Sequence, residues 1–405
     1  MSVGTLGLLY AAATFLFLFS GMPIAFAVGS VALIFMYFFM PVAQLSIIAE
    51  TIFSELNSFT LLTIPLFIMM GAAIGKSRAG ADLYNSLNRW LYKVPGGLGL
   101  ANTLACSVFA AMCGSSPATC SAIGSSGIPE MRKRGYSERL ATGLIAAGGT
   151  LGILIPPSLT LILYGLATEQ SIGKLFMAGV GPGLMLTGLF AIWVIYKSWA
   201  EKTERLATSR STGMAMPAEE SYSWKQRLET LPRLAPFLGL IIIVMVALYG
   251  GWATPSEVAG IGAFGALLMV MAIYGCWRWS DLKVILSGTA RESSMIMLII
   301  AMSFLYTYVM SYLHITQSAA AWMISLELSK WAFFFWVNIL LIVLGFFLPP
   351  VGLNLFVISG IAPDIKLKEI MWGTVPFLLL MVLGIVLLCV FPEIATWLPS
   401  QYSGS

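Results

Sequence analysis

Apolar and polar positions alternate in long blocks along this chain, and most of the apolar blocks are of helical length. Gly4–Ser20 and Ile24–Met40 come first, joined at Gly21-Met22-Pro23. Pro41–Thr60 is mixed and carries Glu50 and Glu55, the composition of an interfacial or amphipathic piece. Leu61–Gly75 is apolar again, and Pro65 within it predicts a kink. Lys76–Val94 predicts an amphipathic helix, with Leu83, Leu87, Trp90 and Leu91 on one face and Arg78, Asp82, Asn85 and Arg89 on another. Leu175–Trp199, Leu234–Tyr249, Val258–Tyr274, Ser293–Tyr312, Trp331–Leu348 and Met371–Val390 are further apolar segments, and Trp277–Arg291 has an interfacial composition. A spanning helix needs roughly 20 such residues, so the pattern predicts an all-α polytopic membrane protein. Leu6–Phe19 has no basic residues before it and no cleavage site after it, and reads as a mature helix.

One stretch departs from simple spans. From Asn102 to Pro157 an apolar run is broken by Gly114-Ser115-Ser116-Pro117, resumes, and meets Arg132, Lys133 and Arg134. A second run is then broken at Pro156-Pro157. The arms Leu98–Cys113 and Ala118–Pro129 are too short to cross a core of ~30 Å. They predict a re-entrant hairpin with its tip at mid-depth and its basic mouth on the cytoplasmic side. Leu140–Leu166 then crosses as a broken helix. Lipid offers no partner for a freed N–H or C=O, so such breaks persist where protein or a wet cavity supplies one. Ion and substrate sites of transporters are built this way.

Composition sharpens this picture. The 405 residues are 59% hydrophobic and 10% charged, with a mean hydropathy of +0.89, against about 25% charged in soluble domains. The net charge of +4 needs no nucleic acid; basic residues beside spans orient them. Lys197, Lys202, Arg205 and Arg210 agree with Arg132–Arg134 in placing Glu201–Arg233 as a cytoplasmic linker, helical around Trp224–Leu231. Cys106, Cys113, Cys120, Cys276 and Cys389 contain no CxxC, and His314 is the single histidine, which excludes a zinc site and leaves the thiols as small buried hydrophobes. Glu257 follows a TPS start as an N-terminal helix acid, and Glu130 is positioned to pair with Arg132 or Arg134. No convergent nucleophile, base or metal set is present, so the chain reads as no enzyme.

The linker separates two related halves. Pro23 and Ala27 match Pro255 and Ala259; Asn102 matches Asn338; LGILIPPSLTL (Leu151–Leu161) matches LGFFLPPVGLN (Leu344–Asn354). Asn102 and Pro156 are 54 positions apart, whereas Asn338 and Pro349 are 11 apart. The second half therefore lacks a counterpart of the hairpin, its basic end and the start of the broken helix. Related halves with discontinuous helices mark secondary transporters, here expected with inverted topology. The expected organisation is a first scaffold or arm segment at 1–95, a first transport repeat at 96–199, the linker at 200–233, a second arm at 234–292, and a second transport repeat at 293–405.

Transport needs a site for an ion and a solute. Na⁺, a hard cation, takes oxygen ligands, including carbonyls freed at breaks. The candidates are Gly114, Ser115, Ser116, Pro117 and Thr119 at the hairpin tip and Gly152, Ile155, Pro156, Pro157 and Ser158 at the first double proline. Gly345, Leu348, Pro349, Pro350, Gly352 and Asn354 are the second-half equivalents. No Lys or Arg lies deep in an apolar segment, so an anion would be met by helix N-termini and serine hydroxyls.

The segments GMPIAFAVG, IPLFIMMG, CGSSPATCSAIGSSGIPEM with RKRGY, IPPSLTLILYG, LYGGWATPSEVAGIGA and PPVGLNLFVISGIA, in this order over nearly the whole chain, resemble the large membrane subunit of TRAP (tripartite ATP-independent periplasmic) transporters. The resemblance implies a bacterial inner-membrane, elevator-type permease. It further implies a small membrane subunit and a periplasmic binding protein as partners, no cofactor, and Na⁺-driven uptake of a carboxylate such as a C4-dicarboxylate or sialic acid. The absence of GxxxxGK[ST] agrees with ATP independence. Members of that family carry a second re-entrant hairpin where this chain passes directly from GFFL to PPVGLNLF. A stand-alone ion-coupled anion transporter and a truncated, non-transporting scaffold are the alternatives. With the second hairpin deleted, intact-mass spectrometry is expected to give a value near 43.8 kDa. A protein heavier by roughly 4–5 kDa, the mass of ~43 average residues, would carry that hairpin after all.

Overall fold

A computed structural model describes residues 1–212, 222–347 and 351–401. Nineteen α-helices form among the described residues. In order they are α1 (Val3–Phe19), α2 (Ile24–Phe39), α3 (Ile48–Leu56), α4 (Thr63–Lys76), α5 (Ala79–Leu91), α6 (Gly97–Cys113) and α7 (Ser116–Lys133). There follow α8 (Glu138–Thr150), α9 (Leu159–Thr168), α10 (Ile172–Thr212), α11 (Trp224–Leu228), α12 (Leu231–Tyr249) and α13 (Pro255–Tyr274). The chain continues with α14 (Trp279–Tyr312), α15 (Ile315–Ser325), α16 (Lys330–Phe347), α17 (Val351–Ile361), α18 (Leu367–Val390) and α19 (Glu393–Ser400). Short 3-10 turns precede α3 and α4 and follow α8. Five helical stretches among the described residues are long and apolar enough to cross a membrane: Phe59–Lys76, Ile172–Glu201, Pro255–Tyr274, Trp279–Tyr312 and Leu367–Val390.

Three sequence expectations need correction. Pro65 is the third residue of α4, in its first turn and not in a helix interior; there the missing N–H is one that has no helical partner anyway. Trp277–Arg291 and Ser293–Tyr312 are not separate pieces, because α14 runs through both for 34 residues. Charged residues change where a helix sits, not whether its backbone continues. Likewise α10 continues to Thr212, well into the expected linker. The interior of α5 is also broader than its apolar stripe: Ser86 and Asn88 are buried with Leu83 and Tyr84, while Trp90 is exposed.

Two compact units emerge from the packing. The first comprises Met1–Leu62 and Ala290–Leu344. Its core joins Tyr10 of α1, Val31, Phe35 and Met36 of α2, and Leu305 and Val309 of α14. The Tyr10 ring meets Phe35 edge-on at 4.7 Å, and its hydroxyl donates to the Tyr306 carbonyl at 3.1 Å, so the polar tip of a fully buried ring has a partner. His314 adopts a left-handed conformation (φ 57°) at the start of α15.

The second unit comprises Thr63–Thr289 and Gly345–Ser405. Here α6 and α7 form a helical hairpin, and α8 and α9 form one helix broken in the middle. α17 lies beside α7: Asn354 bonds Ser116, Gly124 packs near Ile361, and just past α17 Asp364 pairs with Arg132 at 2.6 Å. Thr254 and Glu257 cap α13 reciprocally, the role expected for Glu257. Cys106, Cys113 and Cys120 are buried thiols.

α8 and α18 cross backbone against backbone. A Cβ on Gly143 would collide with the Gly373 carbonyl, and a Cβ on Gly373 with the Arg139 carbonyl. Backbones approach this closely only through small residues. Gly143→Leu is expected to cost at least the ~1–3 kcal/mol typical of overpacking. Fluorescence-detected size-exclusion melting should show this as a clear drop in midpoint. Gly188→Leu, at a glycine with nothing within 4 Å, should leave the midpoint nearly unchanged.

Candidate functional site

The hairpin turns in two residues. Gly114 closes α6 in a left-handed conformation (φ 59°), its N–H bonded to the Ala110 carbonyl. A glycine is needed there twice over, because a Cβ would also sit 2.5 Å from the Pro157 carbonyl oxygen. Ser115 is extended (φ −130°, ψ 125°), and α7 begins at Ser116 with Pro117 in its first turn. The Ser115 carbonyl receives both the Thr119 N–H, at 3.1 Å, and the Thr119 hydroxyl, at 2.9 Å. The Cys113 thiol lies 3.3 Å from that hydroxyl.

The break in the following helix packs onto this tip. Leu151–Ile153 tightens to a 3-10 turn, and prolines at 156 and 157 cannot donate the helical bonds to the carbonyls of Gly152 and Ile153. Ser158 answers for one of them: its hydroxyl donates to the Ile153 carbonyl at 2.6 Å while it caps α9. A Cβ on Gly152 would lie 2.7 Å from the Ser115 carbonyl oxygen, so tip and break touch backbone to backbone. Behind the break, Gly179 and Gly183 of α10 leave room for Leu154 and Ile155.

Asn354 on α17 completes the cluster. Its Nδ2 donates to Ser116 Oγ at 2.8 Å and to the Ala146 carbonyl at 3.1 Å, and the Ser116 hydroxyl lies 3.0 Å from Asn354 Oδ1. Asn354 is 1% exposed. A small cavity beside it is lined by Ala146, Thr150, Thr374, Leu378 and Met381, with room for about one water.

The structure thus gathers Gly114, Ser115, Ser116, Pro117, Thr119, Gly152, Pro157 and Ser158 with Asn354, although Ser116 and Asn354 are 238 residues apart. Ile155 and Pro156 lie on the far side of the break, toward α10. Gly345 is in α16 and Gly352 in α17. Leu348, Pro349 and Pro350 lie outside the described residues. Ala146 and Thr374 were not anticipated; a carbonyl inside an unbroken helix and a threonine on a distant one carry no sequence signal. Among the described residues, no carboxylate and no cation enters the cluster. Oxygen atoms of carbonyls and hydroxyls line it, a donor set suited to a hard monovalent cation. Among the described residues, no group of three His, Cys, Asp or Glu could hold a metal.

The charges stand at the other end of α7. Arg134 pairs with Glu130 at 3.2 Å, and Arg132 pairs instead with Glu138, at 3.0 Å, and Asp364. Arg139 bonds Glu369 in two places. Asn102 and Asn338, matched between the halves, share one local geometry: each side-chain amide donates to the carbonyl four residues back.

A helical hairpin meeting a broken helix in a buried, uncharged site is the architecture of a membrane transporter. In overall fold the chain is similar to the YdaH transporter of Alcanivorax borkumensis, whose crystal structure reveals an unusual topology (TM-score 0.51, 11% identity, 90% of each chain covered). The profile of the family described as "Tripartite ATP-independent periplasmic transporter, DctM component" matches residues 11–349 and 347–394. The chain is 32% identical to the C4-dicarboxylate TRAP transporter large permease protein DctM of Rhodobacter capsulatus, over 94% of this chain and 96% of that protein. It is also 32% identical to the protein of the same name from Pseudomonas aeruginosa, over 87% and 89%. It belongs to the TRAP transporter large permease family and is a multi-pass membrane protein. The profile match divides at 347–349, the place where the sequence of the second half has no counterpart of the first-half hairpin segment. The alignment with the Rhodobacter protein spans 436 positions, more than the 405 residues of this chain, so that relative carries residues with no counterpart here.

Asn354→Ala removes the amide that serves Ser116 and Ala146, and should destabilise by about 1–3 kcal/mol, the cost of stranded buried polar groups. Ser116→Ala leaves the bond to Ala146 and should cost less, about 1 kcal/mol. Thermal melting in detergent is expected to rank wild type above Ser116→Ala above Asn354→Ala.

Proposed function

We propose that this chain is the permease subunit of a Na⁺-coupled secondary transporter in a bacterial inner membrane. It takes up a carboxylate of the C4-dicarboxylate class, delivered by a periplasmic binding protein, and works with a small membrane subunit. The substrate class follows the names of the two DctM relatives. The observation that carries the reading is the backbone contact between the hairpin tip at Gly114–Ser116 and the break at Gly152–Ser158. Freed carbonyls and hydroxyls there offer Na⁺ its oxygens. The N-terminus of α7, which has no side-chain cap, directs N–H groups and a partial positive charge toward an anion.

Alternating access in this reading is an elevator movement: the hairpin and broken helix carry ion and solute together against a scaffold. Na⁺ organises the tip, and the organised tip binds the carboxylate, so ion binding and solute binding reinforce each other. The low charge of the site keeps solute affinity modest, which suits a system that draws its affinity from a separate binding protein.

A second reading is favoured by the direct succession of α16 and α17. With no second hairpin, one gate and part of one ion site are absent, and the chain acts as a scaffold that retains the small subunit. Co-reconstitution with both partners decides between them. An inward Na⁺ gradient is expected to drive uptake of radiolabelled succinate, and Ser116→Ala or Asn354→Ala to weaken its Na⁺ dependence. Retention of the small subunit without any Na⁺-driven uptake would establish the scaffold reading. Uptake by this chain alone would instead mark a stand-alone transporter.

A further inference from the structure

Arg227 is a buried cation with no counter-ion among the described residues. It sits on α11, just before the apolar helix α12, and is 8% exposed. Its Nε is dry and has no hydrogen-bond partner. No ion pair to its guanidinium forms among the described residues. Two aromatic faces enclose it instead, with Cζ 4.8 Å from the Trp224 ring and 4.9 Å from the Tyr92 ring. Burying a charge without a partner is unfavourable, and cation–π contact offsets only part of that.

More positive charge is gathered around it. The Arg89 guanidinium lies 5.6 Å from the Tyr222 ring and donates to the Gln226 carbonyl at 2.8 Å. The Lys93 ammonium lies 5.9 Å from the Tyr92 ring. The cluster stands where apolar helices of this unit begin and end. α6 starts at Gly97 and α12 at Leu231, the apolar stretch of α10 ends at Glu201, and Gly96 packs against Ser198 and Ile195 of α10. That is the level of a membrane–water boundary, as the tryptophans and tyrosines also indicate. Trp224 and Leu228 are more than half exposed beside the cations, so the surface around the charge is apolar.

We propose that this cluster binds the phosphate of an anionic phospholipid headgroup. Arg227 and Arg89 supply charge-assisted donors, Lys93 adds a positive charge, and Trp224 and Tyr92 seat at the headgroup level. A basic pocket between membrane helices with aromatic edges is suited to such a headgroup. Further along α12, about 16 Å from its start, Ile242, Ile243 and Val246 are exposed apolar residues. This site is separate from the hairpin tip and does not depend on transport.

The test is native mass spectrometry and thermal melting of the purified full chain, with phosphatidylglycerol, phosphatidylcholine or inorganic phosphate added. Phosphatidylglycerol is expected to be retained and to raise the melting midpoint, whereas phosphatidylcholine and inorganic phosphate do neither. Arg227→Gln should lower phosphatidylglycerol retention about tenfold. The double variant Arg89→Gln/Lys93→Gln, at one half-buried and one exposed position, should lower it several-fold even if Arg227→Gln folds poorly. Lys174→Gln, at the far end of α10, should retain lipid like the wild type. Equal retention by all variants, or a midpoint shift reproduced by inorganic phosphate, would overturn the proposal.

Discussion

A polar backbone group released inside a membrane must find a partner within the protein, because lipid supplies none. Most of the second unit answers that requirement. Pro156 and Pro157 cancel two helical hydrogen bonds, and the turn at Gly114-Ser115 ends one helix and starts another. The partners come from the immediate surroundings: Ser158 for the Ile153 carbonyl, Thr119 for the Ser115 carbonyl, and Asn354 for the Ala146 carbonyl, which is already part of a helix. Gly114, Gly149 and Gly152 let these pieces approach, since a Cβ on any of them would run into a neighbouring backbone or polar atom. Tip and break are therefore one object: loosening either strands polar groups of the other.

The second half meets the same requirement with less chain. Phe347 and Val351 are separated by three residues, whereas the first hairpin takes up two helices of 17 and 18 residues. α17 consequently lies directly along α7 and joins it through Asn354 near the tip, and Asp364, just past the end of α17, joins it at the root. Two residues of opposite character do this work. The carboxamide acts in a dry site, where a hydrogen bond is strong and its loss costly. The carboxylate of Asp364 is half exposed, where an ion pair contributes about 1 kcal/mol or less.

The hairpin, the broken helix and the second-half gap were legible in the sequence because proline and glycine act locally. A double proline cannot continue a helix whatever surrounds it, and the two matching motifs could be laid side by side. The continuity of α14 through Arg291 and Glu292 was not legible, since charge within a helix marks its surroundings and leaves its hydrogen bonds intact. The burial of Ser86 and Asn88 on α5 was hidden for a related reason: α5 is covered by α6, α7 and α12 rather than by one neighbour. Asn354 was singled out for its place after a double proline. Its partner Ser116 was singled out separately, for its place at a hairpin tip. Nothing in either motif encodes that they meet, because that contact belongs to the tertiary fold.

Charge is arranged in the opposite way to the backbone breaks. Arg132 is 16 residues along α7 from Ser116, a rise of about 24 Å. The charges at the hairpin root are paired with opposite charges, so at that distance they exert little net field at its tip. The tip must rely on short-range sources: carbonyl oxygens, hydroxyls and the N-terminal end of α7. Such groups act over the first turn of a helix and contribute about 0.3–1 kcal/mol each toward a charge. A site made of them holds a charged ligand weakly unless several converge on it at once. Simultaneous convergence requires tip, break and α17 to be in register, so occupancy of the site and order of the backbone around it are two descriptions of one state.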